Sequence, residues 1–148
     1  MANNSFVIVE TIRNISKMVN VGTEKGILAL AITGVSQAKA LAPVDNGQLR
    51  NSLQYVTGTG LSGGLNDSPG DKAPSKLIEQ VRRFEAAIGS NVEYAPYVEF
   101  GTRYQAPQVY LRASLAILRG DAPKLVKAKM DYEFKKGKLV YGKARVKF

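Results

Sequence analysis

The amino-acid sequence predicts an α+β fold: N-terminal helices packed on a small antiparallel β-sheet, a further helix after the sheet, and a basic C-terminal extension. Three observations carry that expectation. Apolar residues recur at helical spacing as far as Leu41. Short segments rich in β-branched and aromatic residues occupy the middle of the chain. A helical pattern resumes after Pro107. At 148 residues the chain is large enough to bury a core of its own, and a single domain, 1–148, is expected.

Asn4 or Ser5 can cap the first helix, in which Ile8, Ile12, Ile15 and Val19 fall on one stripe. Gly22 is expected to interrupt it, so this helix is placed at residues 1–22. A second helix follows over residues 23–41, with Leu28, Ile32, Val35 and Leu41 near one face. Gly26 and Gly34 lie inside it, each costing about 1 kcal/mol relative to Ala. A close approach of another backbone or a local weak point would account for them equally well. Pro43 stops the helix, because its ring cannot continue the ladder.

Residues 53–57 read as a short strand. Phe84, Ala86 and Ile88 alternate with Arg83 and Glu85, a period-two pattern. With a turn at Gly89-Ser90-Asn91 and a return strand over 92–94, residues 83–94 are expected to form a hairpin. The helix after Pro107 is placed at 108–118, with Leu111, Leu115 and Leu118 as its apolar stripe. Asp121 can cap another helix starting near Pro123, where proline is tolerated. Leu125, Ala128 and Tyr132 would line one side of that helix, with Lys127 and Lys129 turned away and Gly137 ending it. The last residues alternate Lys143, Arg145 and Lys147 with Ala144, Val146 and Phe148, which in a strand gives one cationic and one apolar face.

The domain thus divides into an N-terminal helix (1–22), a central core (23–120) and a basic helix and strand extension (121–148). Within the core, residues 58–76 hold five Gly, two Pro and three Ser, and are expected to form a mobile loop that orders against a neighbour. Its Gly-rich start lacks the Gly-Lys-Ser/Thr ending of a phosphate loop. Counted from Asp67 as a calcium loop, it places Ile78 where the bidentate Glu is needed.

The chain has neither cysteine nor histidine, which removes disulfides, thiolate metal sites, and the commonest general base and metal ligand. No spacing among Asp45, Glu79, Glu85, Glu93 and Glu99 marks an acid/base pair, so no catalytic, cofactor or metal site is expected. Residues 1–10 contain no basic residue and no cleavage pattern, so no secretory signal is read there. Apolar runs such as 27–32 are far short of a membrane span, and no membrane partner is expected. Synthesis in the cytoplasm follows.

The net charge is +9, of which residues 121–148 carry +6. That asymmetry fits a tail facing a polyanion or acidic partner, or a solubilising surface. Aromatic and basic residues interleave between Tyr94 and Tyr104, as in stacking platforms for single-stranded nucleic acid. Ala, Pro, Val and Glu dilute the basic character there, and core plus a turn is the preferred reading.

Two segments stand out together. One contains Ala42-Pro43-Val44-Asp45-Asn46-Gly47-Gln48-Leu49-Arg50-Asn51-Ser52. The other contains Tyr94-Ala95-Pro96-Tyr97-Val98-Glu99-Phe100-Gly101-Thr102 and runs on to Leu111-Arg112. In this order, around a variable β region, they resemble the tail-completion or head–tail joining family of long-tailed bacteriophages over roughly residues 24–120. Asn46 departs from the Thr usual there, and Gln108-Val109-Tyr110 replaces the usual Pro-Phe approach to the last helix.

The resemblance implies a non-enzymatic virion protein of the tail or neck that assembles as a ring, hexameric by family resemblance, against neighbouring neck and tail proteins. A tail-terminator ring protein and, in another class, a small basic nucleic-acid-binding protein are the alternatives. The motif residues Pro43, Asp45, Gly47, Arg50, Tyr94, Glu99, Gly101 and Arg112 read as structural. Asp45 can cap the turn at Asn46-Gly47, Gly101 permits a chain reversal, and Arg50, Glu99 and Arg112 can form an ion-pair network. Lys143, Arg145 and Lys147 are candidate contacts to DNA passing through a ring.

Overall fold

Two long helices and a small sheet organise the molecule. The structure, a computed structural model, describes residues 3–45, 47–63 and 81–141, with side chains described over 15–45, 47–63 and 81–136. The element order is α1 (Asn3–Leu41), α2 (Gln48–Ser52), β1 (Leu53–Thr57), β2 (Ser62–Gly63), β3 (Ala86–Ser90), α3 (Ala95–Phe100) and α4 (Leu111–Tyr141). This is the expected α+β class.

The helix α1 is continuous through Gly22, correcting the expected break, and Asn4 and Ser5 lie inside its first turn instead of capping it. The reason is α4, which runs antiparallel beside it. A Cβ at Gly22 would lie 3.0 Å from the Met130 Cα, and one at Gly26 would lie 3.0 Å from the Val126 Cα. These glycines therefore mark helix–helix contact. Gly22, Gly26, Gly34, Ala38 and Ala42 are all buried and share a four-residue spacing, the ridge along which helices interlock. Of the residues expected on the inner face, Val35 is fully buried, whereas Leu28 is half-buried and Ile32 and Leu41 are exposed.

Another correction concerns α4, a single helix with Pro123 inside it, where two helices were expected. Pro123 removes one backbone donor, and packing against α1 on either side of it, at Leu118 and Val126, carries the helix through. Gly137 does not end the helix. The inward residues are Leu118, Val126, Met130 and Glu133, whereas Leu115, Ala128 and Tyr132 are exposed. Glu133 is buried against α1 and accepts a short hydrogen bond from the Lys25 ammonium.

The sheet order is β2-β1-β3, all antiparallel. β1 falls on the expected residues. Its partners differ from the expected hairpin: Leu53 faces Ser90, Tyr55 faces Ile88 and Thr57 faces Ala86, while residues 92–94 turn into α3. Phe84 adopts φ 67, a left-handed conformation that breaks the extended run before β3 can begin earlier. Part of the expected mobile loop is ordered, since Ser62 pairs with Val56 and Gly63 with Tyr55. Residues 64–80 lie outside the described residues, as does the expected terminal strand with Lys143, Arg145 and Lys147.

Both faces of β1 are buried, with Leu53, Gln54, Val56 and Thr57 all almost wholly enclosed. The core joins Leu53 to the C-terminal end of α1 through Val35, Ala38 and Ala42, to Leu49 of α2, Ala95 of α3, and Tyr110 at the head of α4. Every element except β2 contributes to the packing at this one end of the helix pair.

Candidate functional site

The corner where α3 leads into α4 is built around one acid. Helix α3 starts with Pro96 in its first turn, where a proline has no bond to lose, and stops at Gly101 with φ 79. A Cβ on Gly101 would lie 2.8 Å from the Gln105 carbonyl oxygen and from the Pro107 nitrogen, so the reversal requires glycine on two grounds. The chain then folds back, with the Gln108 N–H donating to the Val98 carbonyl at 2.9 Å.

This reversal places Glu99 under the first turn of α4. The Tyr110 and Leu111 N–H groups donate to its Oε2 at 2.9 Å each, and the Arg112 N–H donates to its Oε1 at 3.0 Å. The Arg112 Nε adds a bond to Oε1 at 3.1 Å, and its Nη2 donates to the Glu99 carbonyl at 3.2 Å. A helix start leaves its first N–H groups without partners and carries partial positive charge. Here a carboxylate from another element satisfies three of them while only 3% exposed. Burial pushes the Glu99 carboxyl up, but the backbone donors of Leu111, Arg112 and Tyr110 and the Arg112 side chain outweigh it and hold its pKa below the ordinary glutamate value.

Beside it, Tyr110 is fully buried and its hydroxyl donates to the Ala95 carbonyl at 3.4 Å. Burial, then the nearby Glu99 charge and Tyr94, push its phenol up to about 12. Arg112 is 55% exposed and lies 4.9 Å over the ring of Phe100.

Pro43 follows the end of α1, and Gly47, with φ 78, is the residue that opens α2; the turn at Asn46-Gly47 that Asp45 was expected to cap includes Asn46, which lies outside the described residues. Glu99 and Arg112 come together as an ion pair, whereas Arg50 is exposed and stands in no ion pair among the described residues. Sequence reasoning paired Glu99 with arginines and missed its larger task, the three backbone N–H groups.

The two motif segments meet across a cavity of about 410 Å³, lined by Pro43, Asp45 and Gly47 on one side and Tyr94, Gln105 and Gln108 on the other. Of the segment 94–104, read as core plus a turn, Ala95 is core, Val98 packs against it and Gly101 makes the turn, but the aromatics Tyr97, Phe100 and Tyr104 are exposed, at 62%, 65% and 90%. Among the described residues no group of acids could hold a metal ion, and no helix is long and apolar enough to cross a membrane.

These features define a class, a small α+β subunit whose motif residues build a rigid corner and the rim of a surface cavity. Residues 8–101 match the HK97-gp10-like family model, described as the bacteriophage HK97-gp10 tail component, and the chain belongs to that family. It is thus a structural component of a phage tail. The match takes in most of α1 and stops at Gly101, so Glu99 lies within it and its partner Arg112 beyond it. No curated protein and no solved structure matches the chain.

Proposed function

We propose that this chain completes the tail at its head-proximal end, or joins tail to head, as a ring subunit in the neck. The observation that carries this reading is the family match over residues 8–101, which takes in the first motif segment and the second as far as Gly101, two segments that meet at one corner. A joint transmits force and position, and a helix pair anchored at one end by a capped corner suits that task. The reading takes the protein as non-enzymatic: the chain has no His or Cys, and every oxygen of its most buried corner acid is occupied as a cap. A hexameric ring is the form the resemblance implies.

Deleting the gene from the phage that encodes it tests the proposal. Filled heads and finished tails should accumulate separately in electron micrographs, and supplying the protein in trans should join them. Infectious, complete virions without it would refute the reading. A tail-terminator role would instead leave tails of uncontrolled length.

A further inference from the structure

The cavity at the corner has Asp45 and two glutamines in its lining, with one aromatic residue, Tyr94, and the aliphatic Val44, Leu49 and Val98, a mixture that suits the charged head and apolar stem of a lysine. Asp45 is exposed, is the one acid in the cavity lining, and stands in no ion pair among the described residues, as is also true of Glu85, Glu93 and Asp131 elsewhere. Tyr94, Gln105 and Gln108 line it as well, residue types whose ring and amide oxygens can receive a cation. A space of about 410 Å³ admits the four-carbon stem of a lysine with its ammonium at the carboxylate.

Cations are abundant on the opposite part of the molecule. Lys124, Lys127 and Lys135 follow one another at helical spacing along the exposed side of α4, and Lys127 and Lys135 are in no ion pair among the described residues. They cannot reach their own cavity, which adjoins the start of α4. At 1.5 Å per residue, Lys124 lies about 20 Å and Lys135 about 36 Å along the helix from Leu111.

We infer that the corner cavity receives an α4 lysine from a second copy of this chain, making a head-to-tail contact. The partner is a second copy because acceptor and donors are complementary in charge yet sit at different ends of one molecule. A contact between two unlike patches repeats from copy to copy and closes into a ring when the rotation allows. The inference rests on the ring-subunit reading and assigns that ring its interface.

Sedimentation of the full chain over a range of concentrations, at low and high salt, tests it. The wild type should self-associate more strongly at low salt. Asp45→Lys, or Lys124→Glu, Lys127→Glu and Lys135→Glu combined, should weaken association about tenfold or more with melting unchanged. Mixing the two variants should restore it, because each supplies the half the other lacks. Asp45→Asn, which removes only the charge, should fall between wild type and Asp45→Lys.

Association that is undiminished in Asp45→Lys would overturn the inference, as would a wild type that stays monomeric throughout. Either result leaves the ring-subunit reading to the deletion experiment. If Asp45→Lys blocks self-association in solution yet the deleted phage still joins heads to tails, the reading fails and the contact stands.

Discussion

At Glu99, burial and hydrogen bonding oppose each other. Desolvation disfavours the charge, yet three N–H groups, the guanidinium and the helix dipole all favour it, and the carboxylate wins. Glu99→Gln keeps the shape and removes the charge, so it should cost about 2–3 kcal/mol and lower the melting temperature. Because the folded pKa is depressed, this stabilisation is complete above the ordinary glutamate value and disappears as pH falls through the folded value. Acid melting should therefore be steeper for the wild type than for Glu99→Gln, and identical pH profiles for the two would exclude this account. At Gly101, φ 79 and the crowded Cβ position together predict that Gly101→Ala costs about 1–3 kcal/mol by chemical denaturation.

Between elements, the seam of α1 and α4 depends on side chains that are missing. Gly26 lets the Val126 Cα approach, and any branched side chain would force the helices apart. Gly26→Leu should destabilise the protein by about 3 kcal/mol, through overpacking. Gly120 provides the contrast: it lies inside α4 with nothing within 4 Å of its would-be Cβ. Gly120→Ala should stabilise by about 0.5–1 kcal/mol, since only helix propensity changes. Thermal melts of both variants check the pair. Equal destabilisation by the two would mean that the seam is not where α1 and α4 touch most closely.

Across the whole molecule, charge is the property that most directs what it meets. The +9 total and the exposed α4 lysines favour contact with acidic surfaces, including nucleic acid. We propose that Lys143, Arg145 and Lys147 add non-specific contact to DNA, as opposed to guarding a strand edge. The full chain should bind duplex DNA more tightly at low salt than a chain ending at Gly142. Equal binding by the two, insensitive to salt, would remove DNA from the partners of this segment.

Much of this architecture is legible in the sequence because its causes are local. The β-rich run at 53–57, the stop imposed by Pro43 and the reversal at Gly101 each follow from a few adjacent residues and their allowed dihedrals. The motif pair pointed to the phage tail-component family, and the match over 8–101 shows it. Other features are set by residues far apart in the chain. Gly22 reads as a breaker until Met130 is beside it, and Phe84 reads as strand until its φ of 67 is seen. Ala86–Ser90 pairs with β1 and not with its neighbour in sequence, because the buried central strand offers more apolar contact than a local hairpin would. Opposite charge alone linked Glu99 to Arg112, but only the closed corner brings the first N–H groups of α4 onto that carboxylate. The amino-acid sequence by itself determined the fold class, the strand at 53–57, the stops at Pro43 and Gly101, and the family the chain belongs to. Tertiary structure alone decided which small residues touch and which acid caps which helix, because those energies exist only after distant segments meet.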